Sequence, residues 1–179
     1  MDRESTSNGT REPRFACDAM LGGLARWLWG AGYDATWAHG LSDDDVVRIA
    51  RREGRVLLTA DRGILERSLV RKGIIRAILI PRGLSRGEQL EFVFGELGVG
   101  PLDEPRCMAC GGGLDEERKE DVKDEVPPRS WARCDRFWRC TSCGKLFWRG
   151  THWTRIRREL DRRLEHAKGK GTNRSTPSE

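Results

Sequence analysis

The sequence predicts an α/β fold: a domain built on a mainly parallel sheet, followed by a small cysteine-rich module. Two observations predict it. Over residues 14–100, short apolar or β-branched runs alternate with segments that carry helix caps and helical apolar spacing. After Gly100 the composition changes, and five of the six cysteines fall between 107 and 143, four of them as two CxxC pairs, in a stretch with little apolar periodicity. The 179 residues suffice for one ordinary domain or two small ones. With 37% apolar and 34% charged residues, the core is compact and the surface heavily charged.

The elements follow in order. Residues 1–13 read as a disordered polar tail. "RFACD" is a short strand ending at Asp18. "AMLGGLARWLWGAG" spaces Leu21, Leu24, Ala25 and Leu28 as one helical face and stops near Gly32. "YDATWA" is a second strand. "LSDDDVVRIARREG" has Ser42 or Asp43 as N-cap, acids in the first turn, an apolar face of Val46, Val47, Ile49 and Ala50, then basic residues and Gly54. "RVLLT" is the third strand, "ILERSLVRKG" a short helix closed by Gly73, and "IIRAILI" a fourth strand stopped by Pro81. Ser85 and Glu88 form a capping box that opens a helix through about Leu97. "GVGPLDEPR" is a linker. A cysteine module spans about 105–155, a charged helix runs from Thr154 to about Ala167, and residues 168–179 read as a second disordered tail.

Alternating strands and helices imply right-handed crossovers. Neither GxGxxG after the first strand nor GxxxxGK[ST] is present, which disfavours a dinucleotide site and a P-loop. No apolar run of about 18 residues exists, so no transmembrane helix is expected. The polar start "MDRESTSNGTREPR" is unlike a secretory signal, and a cytoplasmic, reducing compartment is the default. The net charge of +5 favours anionic partners, of which nucleic acid is the commonest.

In an open parallel sheet, ligands sit beyond the carboxyl ends of the strands. Asp18 ends the first strand, Asp61 follows the third, and Asp43 starts the helix after the second, so all three point at one sheet edge. Three close carboxylates repel one another unless a cation compensates them. Mg²⁺ or Mn²⁺ suits such oxygen ligands, and such a site can activate water against a phosphodiester. The competing reading makes each Asp an ordinary helix cap. Asp44 and Asp45 read as partners of the helix dipole. Arg26 and Arg62 could face a phosphate, though exposed arginines are commonly just solvated. Cys17, Trp27 and Trp29 read as packing residues.

Cys107-Met-Ala-Cys110 and Cys140-Thr-Ser-Cys143 are a specific signal. Two such turns close a tetrahedral four-thiolate zinc site with no open position, so the zinc is expected to be structural. The polar "DEERKEDVKDEVPPRS" is an excursion between the knuckles, and Cys134 reads as a free thiol. "FWRGTHW", with His152 and Trp153, either packs under the ribbon or offers a stacking surface to a nucleotide. On the following helix Arg155, Arg158 and Arg162 share a face. That face either guides a nucleic-acid backbone or is a solvated surface with pairs such as Asp161 with Arg157 or Arg158.

Taken as an ordered set, "CDAMLGGLARWLWGAGYDA", "SDDDVVRIARREGRVLLTADRGIL", "RCMACGGGL", "VPPRS" and "FWRCTSCGKLFWRGTHW" resemble the Mut-seven C-terminal RNase domain family, over about Phe15 to Leu160. The resemblance implies a PIN-like nuclease domain over 14–100 fused to a zinc ribbon. It implies metal-dependent RNA cleavage by acids that fall on Asp18, Asp43 and Asp61. The sequence departs from the family pattern at Trp29, where many relatives have Arg, at Ala60, where "TRD" is usual, and at Gly111, where Asn often follows the cysteine. Phe147 replaces a common Tyr. The expected function is therefore a Mg²⁺- or Mn²⁺-dependent ribonuclease whose ribbon assists RNA binding. Two competitors are a non-catalytic RNA-binding adaptor and a receiver-like phosphotransfer module. The second lacks the expected Lys after a later strand, where Ile80-Pro81-Arg82 stands instead.

Overall fold

The computed structural model describes residues 12–171, and for His152, Lys170 and Gly171 the backbone alone. The expected tail segments 1–11 and 172–179 lie outside the described residues. Four parallel strands form the first sheet: β1 (Phe15–Cys17), β2 (Ala35–Thr36), β3 (Val56–Thr59) and β4 (Ala77–Leu79), in the order β2-β1-β3-β4. These are short strands, and both faces are buried. Phe15 and Cys17 of β1 point into one core and Ala16 into the other, as the two-residue strand period requires.

On the first face lie α1 (Gly22–Gly30) and α5 (Arg86–Leu97), packed with Leu24, Leu28, Leu90 and Phe94 against β1 and β3. On the second face α2 (Asp43–Glu53) packs Val46, Val47 and Ala50 against Ala16 and Leu57. Its caps are as expected: the Ser42 side chain accepts from the Asp45 N–H, and Gly54 is left-handed. The single helix expected after β3 is instead two short ones, α3 (Arg62–Leu65) and α4 (Ser68–Arg71), with the chain extended at Arg67. The Ser85–Glu88 capping box is present at the start of α5.

Between β1 and α1 the chain makes a 3₁₀ turn, Ala19–Leu21. Trp37 covers this junction: its Nε1 donates to the Ala19 carbonyl, and its ring leaves no room for a Cβ at Gly22. The expected linker is a bonded strap. The Leu102 N–H donates to Ala31 O and the Arg106 N–H to Trp29 O, both at 2.8 Å, while the Tyr33 hydroxyl donates to Gly100 O. The two backbone bonds end on carbonyls at the close of α1, Trp29 O (which also accepts from the Gly32 N–H) and Ala31 O.

The cysteine module is a three-stranded antiparallel ribbon of β5 (Leu114–Glu117), β6 (Phe137–Cys140) and β7 (Leu146–Trp148). The polar excursion folds into a 3₁₀ turn, Lys119–Val122, and α6 (Pro128–Arg133). Its Val122 and Val126, with Cys134, cover Phe137 on one face of the ribbon as a small separate core. Cys134 is thus a packing residue whose thiol donates to Arg149 O at 3.3 Å.

The largest departure is the last helix. α7 runs Thr151–Gly171, longer at both ends than the expected 154–167, so residues 168–171 continue the helix. It packs on α5 of the sheet domain. Ile156, Leu160, Leu164 and Ala167 form an apolar stripe, with Leu160 and Ala167 buried in the first core. Gly87, Glu91 and Gly95 form the facing row of α5, where the glycines let α7 come close.

Candidate functional site

The carboxyl edge of the sheet carries the acids. Asp18 follows β1 and is 4% exposed. Its Oδ1 accepts from the Met20 N–H at 2.9 Å. Its Oδ2 accepts from the Thr59 hydroxyl and the Ala60 N–H, each at 2.7 Å. Three donors fix the orientation of this carboxylate, and about one of its four acceptor positions is left. Thr59 also accepts from the Asp61 N–H at 2.9 Å. One hydroxyl therefore ties the ends of β1 and β3 together. This role of Thr59 was not read from the sequence, although its place two residues before Asp61 is the available signal.

Asp61 caps α3: its Oδ1 accepts from the Gly63 N–H at 2.8 Å, and its Oδ2 has no partner among the described residues. Asp43 is exposed in the first turn of α2 and has none either. Its neighbours are engaged. Asp44 pairs with Arg67, at the bend between α3 and α4. Asp45 pairs with Arg48 and accepts from the Ser42 hydroxyl. The Asp44–Arg67 pair brings the start of α2 beside the segment after Asp61. The three acids do not converge as tightly as the cysteines below. Among the described residues, Cys107, Cys110, Cys140 and Cys143 are the group of potential ligands whose donor atoms all lie within 4.8 Å. A cleft of about 330 Å³, lined by Met20, Ala60, Arg82 and Gln89, opens on the acid edge. Met20 is 75% exposed there.

The four cysteines can hold a metal such as zinc. Sγ of Cys107 lies 3.7 Å from that of Cys143, and Sγ of Cys110 lies 3.5 Å from that of Cys140. A tetrahedron with bonds of about 2.3 Å has edges of about 3.8 Å. The two knuckles turn at Gly111 and Gly144, both at positive φ. Burial pushes the Cys107 thiol up to about 12. Burial acts the same way on Cys140, but the N–H groups of Cys143 and Ser142, together with the Cys110 and Cys143 thiols, outweigh it and take that thiol down to about 7. Donated N–H groups of this kind stabilise a thiolate, the form that binds metal. Cys17 is outside the cluster, and burial raises its thiol pKa far above the ordinary value, as fits a small core residue.

The remaining candidates separate. Arg62 is exposed directly after Asp61, and Arg26 is exposed on α1; neither has an ion pair among the described residues. Trp153, Arg155 and Arg158 line a trough between the ribbon, the 101–106 strap and the first turns of α7, and Arg26 lines the same trough. His152 lies in α7, and its side chain is outside the described residues. Arg162, on the shared face expected with Arg155 and Arg158, pairs with Glu159. The pair of Arg157 with Asp161 is present at 3.5 Å. Trp29 is buried, and its Nε1 donates to Ala35 O. Among the described residues no helix is long and apolar enough to cross a membrane.

A family model described as the Mut7-C RNAse domain matches residues 13–160. No curated protein and no solved structure shows a significant match to the chain.

Proposed function

The chain belongs to the Mut7-C RNAse domain family, and from that premise we propose that it is a metal-dependent ribonuclease hydrolysing RNA phosphodiester bonds. Asp18, Asp43 and Asp61 are the acids we assign to a Mg²⁺ or Mn²⁺ ion. Membership suggests a nuclease role; support for these residues comes from the carboxyl edge of the sheet. The carrying observation is the bridge through Thr59, which fixes buried Asp18 against the strand end that leads to Asp61. Asp43 is the member of its acidic run without a partner among the described residues.

Mg²⁺ binds through one or two carboxylates and keeps several waters. Three acids that do not close to direct-ligand distance are compatible with such a shell. When bound, the ion supplies an activated water and neutralises charge on the scissile phosphate. Asp18 gives a rigid anchor, because three donors hold it. Asp61 presents Oδ2 from a capped helix start, and Asp43 offers two uncommitted oxygens. Exposed Arg62 and Arg82 flank this edge and suit a polyanion.

We assign zinc to the four cysteines, in a structural role, since four thiolates leave no position for substrate. One zinc per chain is expected by metal analysis of reduced protein, and Cys110→Ser should lose it. Purified protein should cleave RNA with Mn²⁺ or Mg²⁺ and stop when these are withheld. Binding without cleavage under every metal condition would establish the adaptor reading in place of the nuclease.

A further inference from the structure

The ribbon has two unlike faces. The side chains of a strand alternate, and β6 and β7 pair Trp138 with Phe147 and Phe137 with Trp148. The Phe137 face is covered by Val122, Val126 and Cys134 from the excursion. Trp138 and Phe147 belong to no core cluster among the described residues and line the trough. The trough measures about 2300 Å³ and is lined by nine basic and five acidic side chains. Arg136 and Arg149 lie 5.0 and 5.8 Å from the ring centroid of Trp138. Of the bases, Arg26, Arg129, Arg133, Lys145, Arg155 and Arg158 have no ion pair among the described residues.

We propose that this open ribbon face is a binding platform for single-stranded RNA, with unpaired bases stacked on Trp138 and Phe147 and phosphates held by Arg155 and Arg158. The proposal rests on the RNA-cleaving reading above and specifies the strandedness of the substrate. Cations without carboxylate partners provide charge complementarity to a polyanion. A neighbouring aromatic pair adds a feature that docking of an acidic protein on these cations does not need. Aromatic rings reach only unstacked bases, so a duplex cannot use this pair.

The platform lies away from the acids. α1 starts next to Asp18, and its far end, at Gly30 and Gly32, abuts Met108 and Leu102 beside the trough. Nine residues of helix span about 14 Å. An RNA anchored on Trp138 therefore reaches Asp18 by running along α1, past Arg26. Short oligonucleotides that fill the platform alone should bind and escape cleavage.

The test uses the full chain without added divalent cation and a fluorescein-labelled oligouridylate of about 15 nucleotides. We expect zinc-loaded Trp138→Ala and Phe147→Ala each to raise Kd about tenfold. Trp138→Phe should restore most of the affinity. Arg155→Gln and Arg158→Gln should each lower the salt slope by about one. An RNA duplex of equal length should bind more weakly and ignore Trp138→Ala. Wild-type affinity in zinc-loaded Trp138→Ala, or equal binding of duplex and single strand, overturns the proposal. Should Trp138→Ala lose zinc, Phe147→Ala and the duplex comparison decide by the same criteria. Cleavage is read separately with Mn²⁺. Stacking-dependent binding without cleavage removes the nuclease reading and keeps the platform. Cleavage with unchanged Trp138→Ala binding does the reverse.

Discussion

At Gly111 the backbone has φ +79°, and a Cβ built there would lie 2.6 Å from Trp29 Nε1. Both positions depart from the pattern the sequence resembles, and the structure puts them in contact. A large indole at position 29 leaves room only for glycine in the knuckle. Gly111→Ala should cost about 1–3 kcal/mol, from overpacking and from the left-handed backbone. In a Trp29→Ala background the cost should fall. Chemical denaturation of the four proteins gives the coupling, expected at about 0.5–3 kcal/mol for residues in contact. The acids give a second test at this scale. Asp61→Asn keeps an oxygen for the Gly63 N–H, and Asn caps helices as well as Asp does. Its melting temperature should stay near wild type while Mn²⁺-dependent cleavage drops about 100-fold or more, because losing even an outer-shell partner of a ligand costs about 10–100-fold. Unchanged cleavage by the folded variant removes Asp61 from the metal site.

At the scale of elements, the packing of α7 on α5 joins the end of the described chain to its first domain. Leu160 is fully buried there, so Leu160→Ala should cost about 2–5 kcal/mol. Arg155→Ala and Arg158→Ala, on the trough side, should change stability by no more than about 0.5 kcal/mol. An equal effect of all three would mean that the apolar stripe does not hold the helix. The same interface carries a charged seam: Arg163 lies between Glu91 at 2.7 Å and Glu159 at 2.6 Å, and His166 reaches Glu91. Arg162 and then Arg163 hold the Glu159 carboxyl below its ordinary range, against an opposing push from burial. Arg52 and then Arg55 do the same for Glu53. The unfolded chain then takes up protons at higher pH than the folded one. The stabilisation from these carboxylates is complete above the ordinary value of 4.5 and is lost as pH falls through the lower folded values. Urea titrations between pH 7 and 3 should show stability declining below that point. Replacing Glu159 by Gln should reduce the decline.

At the scale of the whole molecule, removing everything after Trp153 is expected to do more than remove basic charge. It strips Leu160, Leu164 and Ala167 from the main core. The truncated chain should melt lower or fail to fold, whereas Arg155→Gln with Arg158→Gln isolates the effect on RNA. A truncated protein with wild-type melting behaviour would show that α7 is dispensable to the sheet domain.

Much of this was legible because it is local. Caps at Ser42 and Ser85, the glycine stops and the CxxC pairs depend on residues a few positions apart. The strand–helix alternation of the first domain depends only on apolar periodicity, and the parallel sheet follows from it. What the sequence left open depends on which surfaces meet. The stripe Ile156–Leu160–Leu164–Ala167 was present but lay within an excess of arginine, and only its contact with α5 distinguishes a docked helix from a solvated one. Buried Arg55, which pairs with Asp34 and Glu53 and donates to Phe15 O, looks from sequence like any basic residue after a helix. The acids at 18, 43 and 61 could be placed at one edge by strand order, but their side-chain directions and hydrogen bonds required the packed sheet. The same holds for the ribbon. Its ligands are fixed by spacing, while the side left open to solvent is decided by where the excursion folds back, because a strand's alternation defines two faces and only tertiary contact chooses which one is covered.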